Sequence, residues 1–402
     1  MKWKATWKYM PVNYNTDIGV VENLTQRTVF RNNLNGKKLK LKFSNKYGRM
    51  PLTLEKVSVA KNDDGGQKLL KEQEFTVVTK DGRERIIIGP GEEFYSDEIE
   101  WNISAGEDIL LFIYIKERQA VQSTASVWST HCTRTQYYTD GYRLDTGNKG
   151  WKESREIYPY VEADENKADI IAGITEILLY TDPDVKTIAL FGDSITHMSY
   201  FSDALTEKIM EEMPGRAAVE NYGIGGNRIL RDASFAPDLE GNGSCFGPAG
   251  ESRFETDVFA EDTPDLILVL EGVNDIMHPY VFLHPDEIVS AEDLEQGISR
   301  IIDAAHGHGI PVFVGTVMPF WNEQYIYWIE KGDNVRKEFN TWIREKSEAD
   351  GVVDYDKATA DPENPSRMKN GIHIGDGLHP NTKGGEIMAE TAFRMIRDKA
   401  EI

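Results

Sequence analysis

From Lys38 to Phe43 the chain reads KLKLKF, a strict alternation that places Leu39, Leu41 and Phe43 on one face of a strand. Leu52–Val59 repeats the pattern less cleanly, and Arg85–Ile88 and Ile109–Ile115 are further apolar runs. Asp64-Gly65-Gly66, Asp81-Gly82 and Gly89-Pro90 are the turn signals between them. Residues 1–180 show no sustained helical periodicity. Many short strands with Gly, Pro and Asp punctuation predict an all-β accessory domain, a β-sandwich of jelly-roll type.

After Thr181-Asp182-Pro183-Asp184 the pattern changes, and residues 185–402 form the second predicted domain. A short apolar strand at Thr187–Phe191 leads into a predicted helix from about Ser199 to Met213, followed by strands at Ala218–Asn221, Asp265–Leu270, Val312–Val317 and Gly351–Asp354. Ser290 and Asp293 form a capping box ahead of Leu294, Ile298, Ile301, Ile302 and Ala305, which recur at helical spacing, and Gly309 is the expected stop. Strands alternating with helices predict a parallel sheet covered on both faces, with ligands bound beyond the carboxyl ends of its strands.

Composition narrows the partners. With 45 Lys and Arg against 67 Asp and Glu, the formal charge of −22 opposes nucleic acid and anionic membrane surfaces. The first ten residues, MKWKATWKYM, lack the apolar run of a secretion signal, and no apolar stretch approaches a membrane span, so a cytoplasmic protein is expected. The two cysteines, Cys132 and Cys245, stand far apart and suit a reducing compartment, although sequence leaves a bridge between them open.

Four strings fall at predicted strand ends: Gly192-Asp193-Ser194-Ile195-Thr196, Asn221 to Arg228 (NYGIGGNR), Gly272-Val273-Asn274-Asp275, and Asp376-Gly377-Leu378-His379-Pro380. Taken singly, each has a plainer reading. Ser194 could be a helix N-cap, the glycines a tight turn or a phosphate loop, Asn274-Asp275 a cap, and Asp376 to His379 a surface turn. Together they supply a complete chemistry. A serine hydroxyl needs a neutral imidazole to take its proton, and the imidazole needs a carboxylate to hold its tautomer. Ser194, His379 and Asp376 provide these parts. A tetrahedral oxyanion needs fixed donors, available from the N–H groups of Ser194 and Gly226 and the Asn274 amide. Such a site loses activity at acid pH, because only neutral imidazole acts as the base.

On these four strings the second half resembles the SGNH (GDSL-type) serine hydrolases. The resemblance implies a flavodoxin-like αβα sandwich and no cofactor, with Ser194 as nucleophile, Asp376 and His379 completing the triad, and Gly226 and Asn274 as oxyanion donors. GIGGNRIL, LILVLEGVND, TVMPF, DGLHP and the SNKYGRMPLT string at Ser44–Thr53 are similar to a bacterial branch that carries an N-terminal β-domain. One departure is His197, where many relatives have Gly or a small polar residue. It is a candidate for the substrate pocket together with Asp193, Asn227, Arg228 and Trp321.

Of the other histidines, His306 and His308 read as complements to a helix C-terminus rather than metal ligands. The aromatic stretch Trp321–Trp328 reads either as core packing or as a wall for sugar stacking. The expected activity is hydrolysis of small acyl esters, foremost O-acetyl groups on carbohydrates, with a small molecule or oligosaccharide as partner. A lipase, lysophospholipase or thioesterase of the same fold is the alternative. A carbohydrate-binding protein with a vestigial triad is more remote.

Overall fold

The KLKLKF alternation becomes the middle of a strand, Gly36–Ser44, in which Leu39, Leu41 and Phe43 are fully buried and the lysines face outward. The computed structural model describes residues 1–62, 70–127, 134–147, 149–153, 169–236, 240–321 and 329–400. Around that strand lies a sheet ordered Lys2–Lys8, Ile174–Thr181, Gly36–Ser44, Glu93–Tyr95, with Ile99–Ile103 also pairing to Gly36–Ser44. A second sheet runs Lys152–Glu153, Arg134–Asp140, Leu24–Phe30, Asp108–Ile115, Lys56–Asn62, Phe75–Val78. Their strand pairs are antiparallel. Trp7 of the first sheet meets Phe30 of the second edge-on at 5.0 Å, both buried.

The run Leu52–Val59, expected as one strand, is two. Leu52–Leu54 pairs with Ile86–Ile88, whereas Lys56–Asn62 joins Asp108–Ile115. The inward positions change parity, from Leu52 and Leu54 to Val57 and Val59. A continuous strand would have turned one pair to solvent. The SNKYGRMPLT string is held by Asn45, whose amide donates to the carbonyls of Met50 (2.9 Å), Ile88 (3.1 Å) and Gly89 (3.3 Å).

The chain divides into two units, Met1–Val185 with Ile209–Glu220, and Lys186–Lys208 with Asn221–Ile402. In the second half, β1 (Lys186–Gly192), β2 (Ala217–Gly223), β3 (Leu266–Leu270), β4 (Val312–Gly315) and β5 (Gly351–Val353) form one sheet in the order β2-β1-β3-β4-β5. The β1/β3, β3/β4 and β4/β5 pairs are parallel, and this order is that of a flavodoxin-like sheet. Every residue of Leu266–Leu270 is buried, as a strand covered on both faces requires.

The helices follow in chain order: α1 (Ser194–His197), α2 (Tyr200–Glu212), α3 (Gly250–Val258), α4 (Val273–Val281), α5 (Ala291–Gly307), α6 (Ile329–Glu345), α7 (Tyr355–Thr359) and α8 (Thr382–Lys399). α5 packs on α3 and α6, while α8 packs on α7 and against the start of α2. The Ser290–Asp293 capping box opens α5, which stops at His308 with Gly309 in the left-handed region.

Close packing of α8 rests on a missing side chain. A Cβ on Gly385 would lie 2.2 Å from the carbonyl oxygen of Tyr200, and backbone cannot swing aside. Gly385→Val should therefore lower the thermal midpoint, with a loss of about 1–3 kcal/mol. Gly307→Ala, whose Cβ meets open space, is the control and should be neutral or slightly stabilising. Equal midpoints for wild type and Gly385→Val would contradict the packing described.

Candidate active site

β1 ends at Gly192, where a side chain would strike Thr196 and the Leu270 carbonyl. The next residue, Asp193, caps α1 by accepting the Ile195 N–H at 2.9 Å. That cap places half-buried Ser194 at the first helical position, just beyond the sheet. Its Oγ lies 2.8 Å from Nε2 of His379. The other ring nitrogen, Nδ1, lies 2.5 Å from Oδ2 of Asp376, and Oδ1 of the same carboxylate accepts the N–H groups of Leu378 and His379, each at 3.0 Å. Burial alone would raise the Asp376 pKa. The hydrogen bond and charge of His379 and the two backbone donors outweigh it and hold the carboxyl below its ordinary range.

The loop bearing these two residues is held at both ends. Nδ1 of His373 accepts the N–H groups of Gly375 (3.0 Å) and Gly377 (3.2 Å), both glycines in the left-handed region at φ +112° and +72°. Asn381 donates from its amide to the carbonyls of Gly371 and His373 and caps α8 with its oxygen.

On the other side of Ser194 is the turn Ile224–Asn227, closed by Asn227 N–H to Ile224 C=O at 3.1 Å. Gly226 has φ +76°, and the Phe246 ring lies so close that a Cβ there would fall 2.1 Å from it. The Gly226 N–H makes no hydrogen bond among the described residues. Asn274, at the start of α4, spends one amide hydrogen on the Asn227 carbonyl at 3.0 Å, which leaves the other available. Ser194 and Asn274 follow β1 and β3, the point at which the strand order of this fold reverses and its ligands bind.

Beneath these residues lies a layer of buried charge. Arg253 of α3 donates to the carbonyls of Gly192 (3.1 Å) and Tyr222 (2.9 Å), to the Asn227 amide oxygen (2.7 Å) and to Asp257 (3.1 Å), and lies 3.5 Å from Glu271. Three fully buried carboxyls, those of Asp193, Glu271 and Asp275, share this layer. Burial, against the Ile195 N–H bond, pushes Asp193 up to about 7. Asp275 is pushed up to about 6 by burial although it accepts the N–H groups of Ile229 and Leu230. Glu271 is raised well above its ordinary value, first by burial and then by Asp193, and its Oε2 has no hydrogen-bond partner.

The structure brings Ser194, His379 and Asp376 together, with Gly226 on a neighbouring turn and Asn274 at the start of α4. Asp193, His197, Asn227 and Arg228 do not form an exposed pocket wall, because each is buried and turned to an internal partner. Asp193 caps α1, His197 accepts the Gly225 N–H, Asn227 ties the Phe246 and Pro248 carbonyls, and Arg228 pairs with Glu287. Trp321 is half-buried under the Arg367 guanidinium, 3.6 Å from its ring centroid. The remainder of the aromatic stretch, 322–328, and Cys132 lie outside the described residues. Burial pushes the Cys245 thiol up to about 11. His306 and His308 pair with Asp350 and Glu255. Arg253, Glu271 and His373 escaped sequence reading, since nothing in their spacing marks them.

Residues 190–387 match the model of the GDSL-like Lipase/Acylhydrolase family, and this part of the chain is a hydrolase domain of that family. Among solved structures, the chain is similar to an acetylxylan esterase from Geobacillus stearothermophilus, at 19% identity over 52% of this chain and 94% of that one, TM-score 0.39. It is also similar to a GDSL-like lipase from Bacteroides thetaiotaomicron, at 19% identity over 53% of this chain and 88% of that one, TM-score 0.38. No curated protein matches the chain.

The raised carboxyls bear on stability. A folded protein that holds the Glu271 proton where the unfolded chain has lost it is most favoured below the ordinary carboxyl pKa and loses that advantage as pH rises toward the folded value. Glu271→Gln keeps a neutral side chain throughout. It should match wild type in thermal midpoint near about pH 4 and gain on it progressively toward neutral pH. A difference independent of pH would show that Glu271 is ionised in the folded state.

Proposed function

We propose that the protein is a serine esterase that hydrolyses small acyl esters, foremost O-acetyl groups on carbohydrates, through an acyl-enzyme on Ser194. The observation that carries this reading is the 2.8 Å approach of Ser194 Oγ to His379 Nε2, with Asp376 on the opposite ring nitrogen. His379 takes the serine proton as Oγ attacks the ester carbonyl, and the developing oxyanion is received by the N–H groups of Ser194 and Gly226 and by the Asn274 amide. His379 then returns the proton to the leaving alcohol. Water, deprotonated by the same ring, attacks the acyl-enzyme and releases the acid, and the proton passes back to Ser194. Asp376, its carboxyl kept ionised by its hydrogen bonds, stabilises the imidazolium at each stage.

The charge of −22 favours neutral over anionic esters. Ser194→Ala should abolish turnover of p-nitrophenyl acetate while leaving the fold intact. Asn274→Ala should lower kcat by on the order of 10²–10³. A loss confined to KM would move Asn274 from the oxyanion to substrate binding. A strong preference for octanoate over acetate would favour a lipase or thioesterase. Acetylated mono- and oligosaccharides, scored for the position of the ester removed, test the alcohol part.

A further inference from the structure

The nucleophile turn and the oxyanion loop are joined by one side chain that the proposed chemistry does not use. His197, the last residue of α1, is 2% exposed, and its Nδ1 accepts the backbone N–H of Gly225 at 3.0 Å. An Nδ1 that accepts holds no proton, so this ring is the neutral imidazole. The contact is close on every side. A Cβ on Gly225 would lie 3.3 Å from His197 Nδ1 and 3.9 Å from Ser194 Cβ, and one on Gly223 would lie 2.4 Å from the backbone nitrogen of His197. The loop therefore runs against α1 with glycine backbone alone facing it.

Gly225 and Gly226 are adjacent, and glycine imposes little on its own torsions. The ends of the turn are held by Ile224 N–H to Gly192 C=O at 3.0 Å, Asn227 N–H to Ile224 C=O at 3.1 Å and the Asn274 amide to Asn227 C=O at 3.0 Å, and its middle by Gly225 N–H to His197. The bond to His197 fixes the peptide plane ahead of Gly225. It also removes that N–H from any role toward substrate, so that of the two glycines Gly226 is the one left to donate. We propose that His197 is a positioning residue that aims the Gly226 N–H at the oxyanion. This rests on the reading of Ser194 as nucleophile and Gly226 as donor. Misdirection of a donor by a fraction of an ångström weakens the transition state and leaves ground-state binding largely alone.

The test uses the full chain with p-nitrophenyl acetate and compares wild type, His197→Leu and His197→Asn. Leu has no acceptor, whereas Asn places an amide oxygen close to where Nδ1 stands. His197→Leu should lower kcat by about 10–100-fold with KM little changed, and His197→Asn should restore most of the loss. Equal losses in the two variants, wild-type kcat in His197→Leu, or a change in KM alone would overturn the positioning role. Circular dichroism and thermal midpoints report folding. Should His197→Leu not fold, a folded His197→Asn with near wild-type kcat supports the proposal, and a folded His197→Asn with kcat reduced about 10-fold or more overturns it. Wild type that neither turns over ester nor labels at Ser194 with a fluorophosphonate overturns the hydrolase reading, and the positioning role with it. Turnover and labelling with no difference among the variants overturns the positioning role alone.

Discussion

Arg253 is the tie on which the proposed site depends. Its guanidinium is buried, lies 4.0 Å from the ring centroid of Phe191, and reaches the Gly192 and Tyr222 carbonyls near the ends of β1 and β2 as well as the side chain of Glu271 just past β3. Arginine suits this task because its planar fork presents several donors in fixed directions. Three segments then leave these strand ends from defined points: α1 with Ser194, the turn with Gly226, and α4 with Asn274. The arrangement is costly, since buried charge must be compensated. Burial raises the proton affinities of Asp193, Asp275 and Glu271, which lowers the negative charge held beside Arg253 and Arg228.

Above that layer, the same economy of local bonds recurs. Asp193 directly follows the last residue of β1 and caps α1, so the first helical position falls to Ser194 without a separate device. The loop with Asp376 and His379 is shaped by two left-handed glycines and by His373, which accepts an N–H from each. Asn381 closes that loop and starts α8 with one side chain. Positioning in this unit comes from short polar contacts between consecutive elements. The central strands of the sheet beneath are apolar and buried.

Much of this was legible in the sequence where one residue type has one physical use. The KLKLKF alternation, the apolar run at Leu266–Leu270 and the Ser290–Asp293 box each state a local preference that the fold keeps. Four strings at strand ends were readable as a constellation for the same reason. Leu24–Phe30 was not, because its sequence, LTQRTVF, places Gln26 and Arg27 in the interior. There the Arg27 guanidinium stacks between Tyr137 and Trp151, partners distant in sequence, so a polar residue does the work of an apolar one. Arg253 was invisible likewise, since its partners come from four separate segments. His197 was noticed as a departure, but its partner at Gly225 emerges only when α1 and the loop meet.

The central claim is that catalysis passes through a covalent ester on Ser194. Its most direct test is peptide mass analysis of the protein quenched in acid during turnover of an excess of p-nitrophenyl acetate. The account predicts one added acetyl group on the peptide that contains Ser194, lost again once substrate is exhausted. Sustained turnover with that peptide unmodified, or with the acetyl group on another residue, would contradict it.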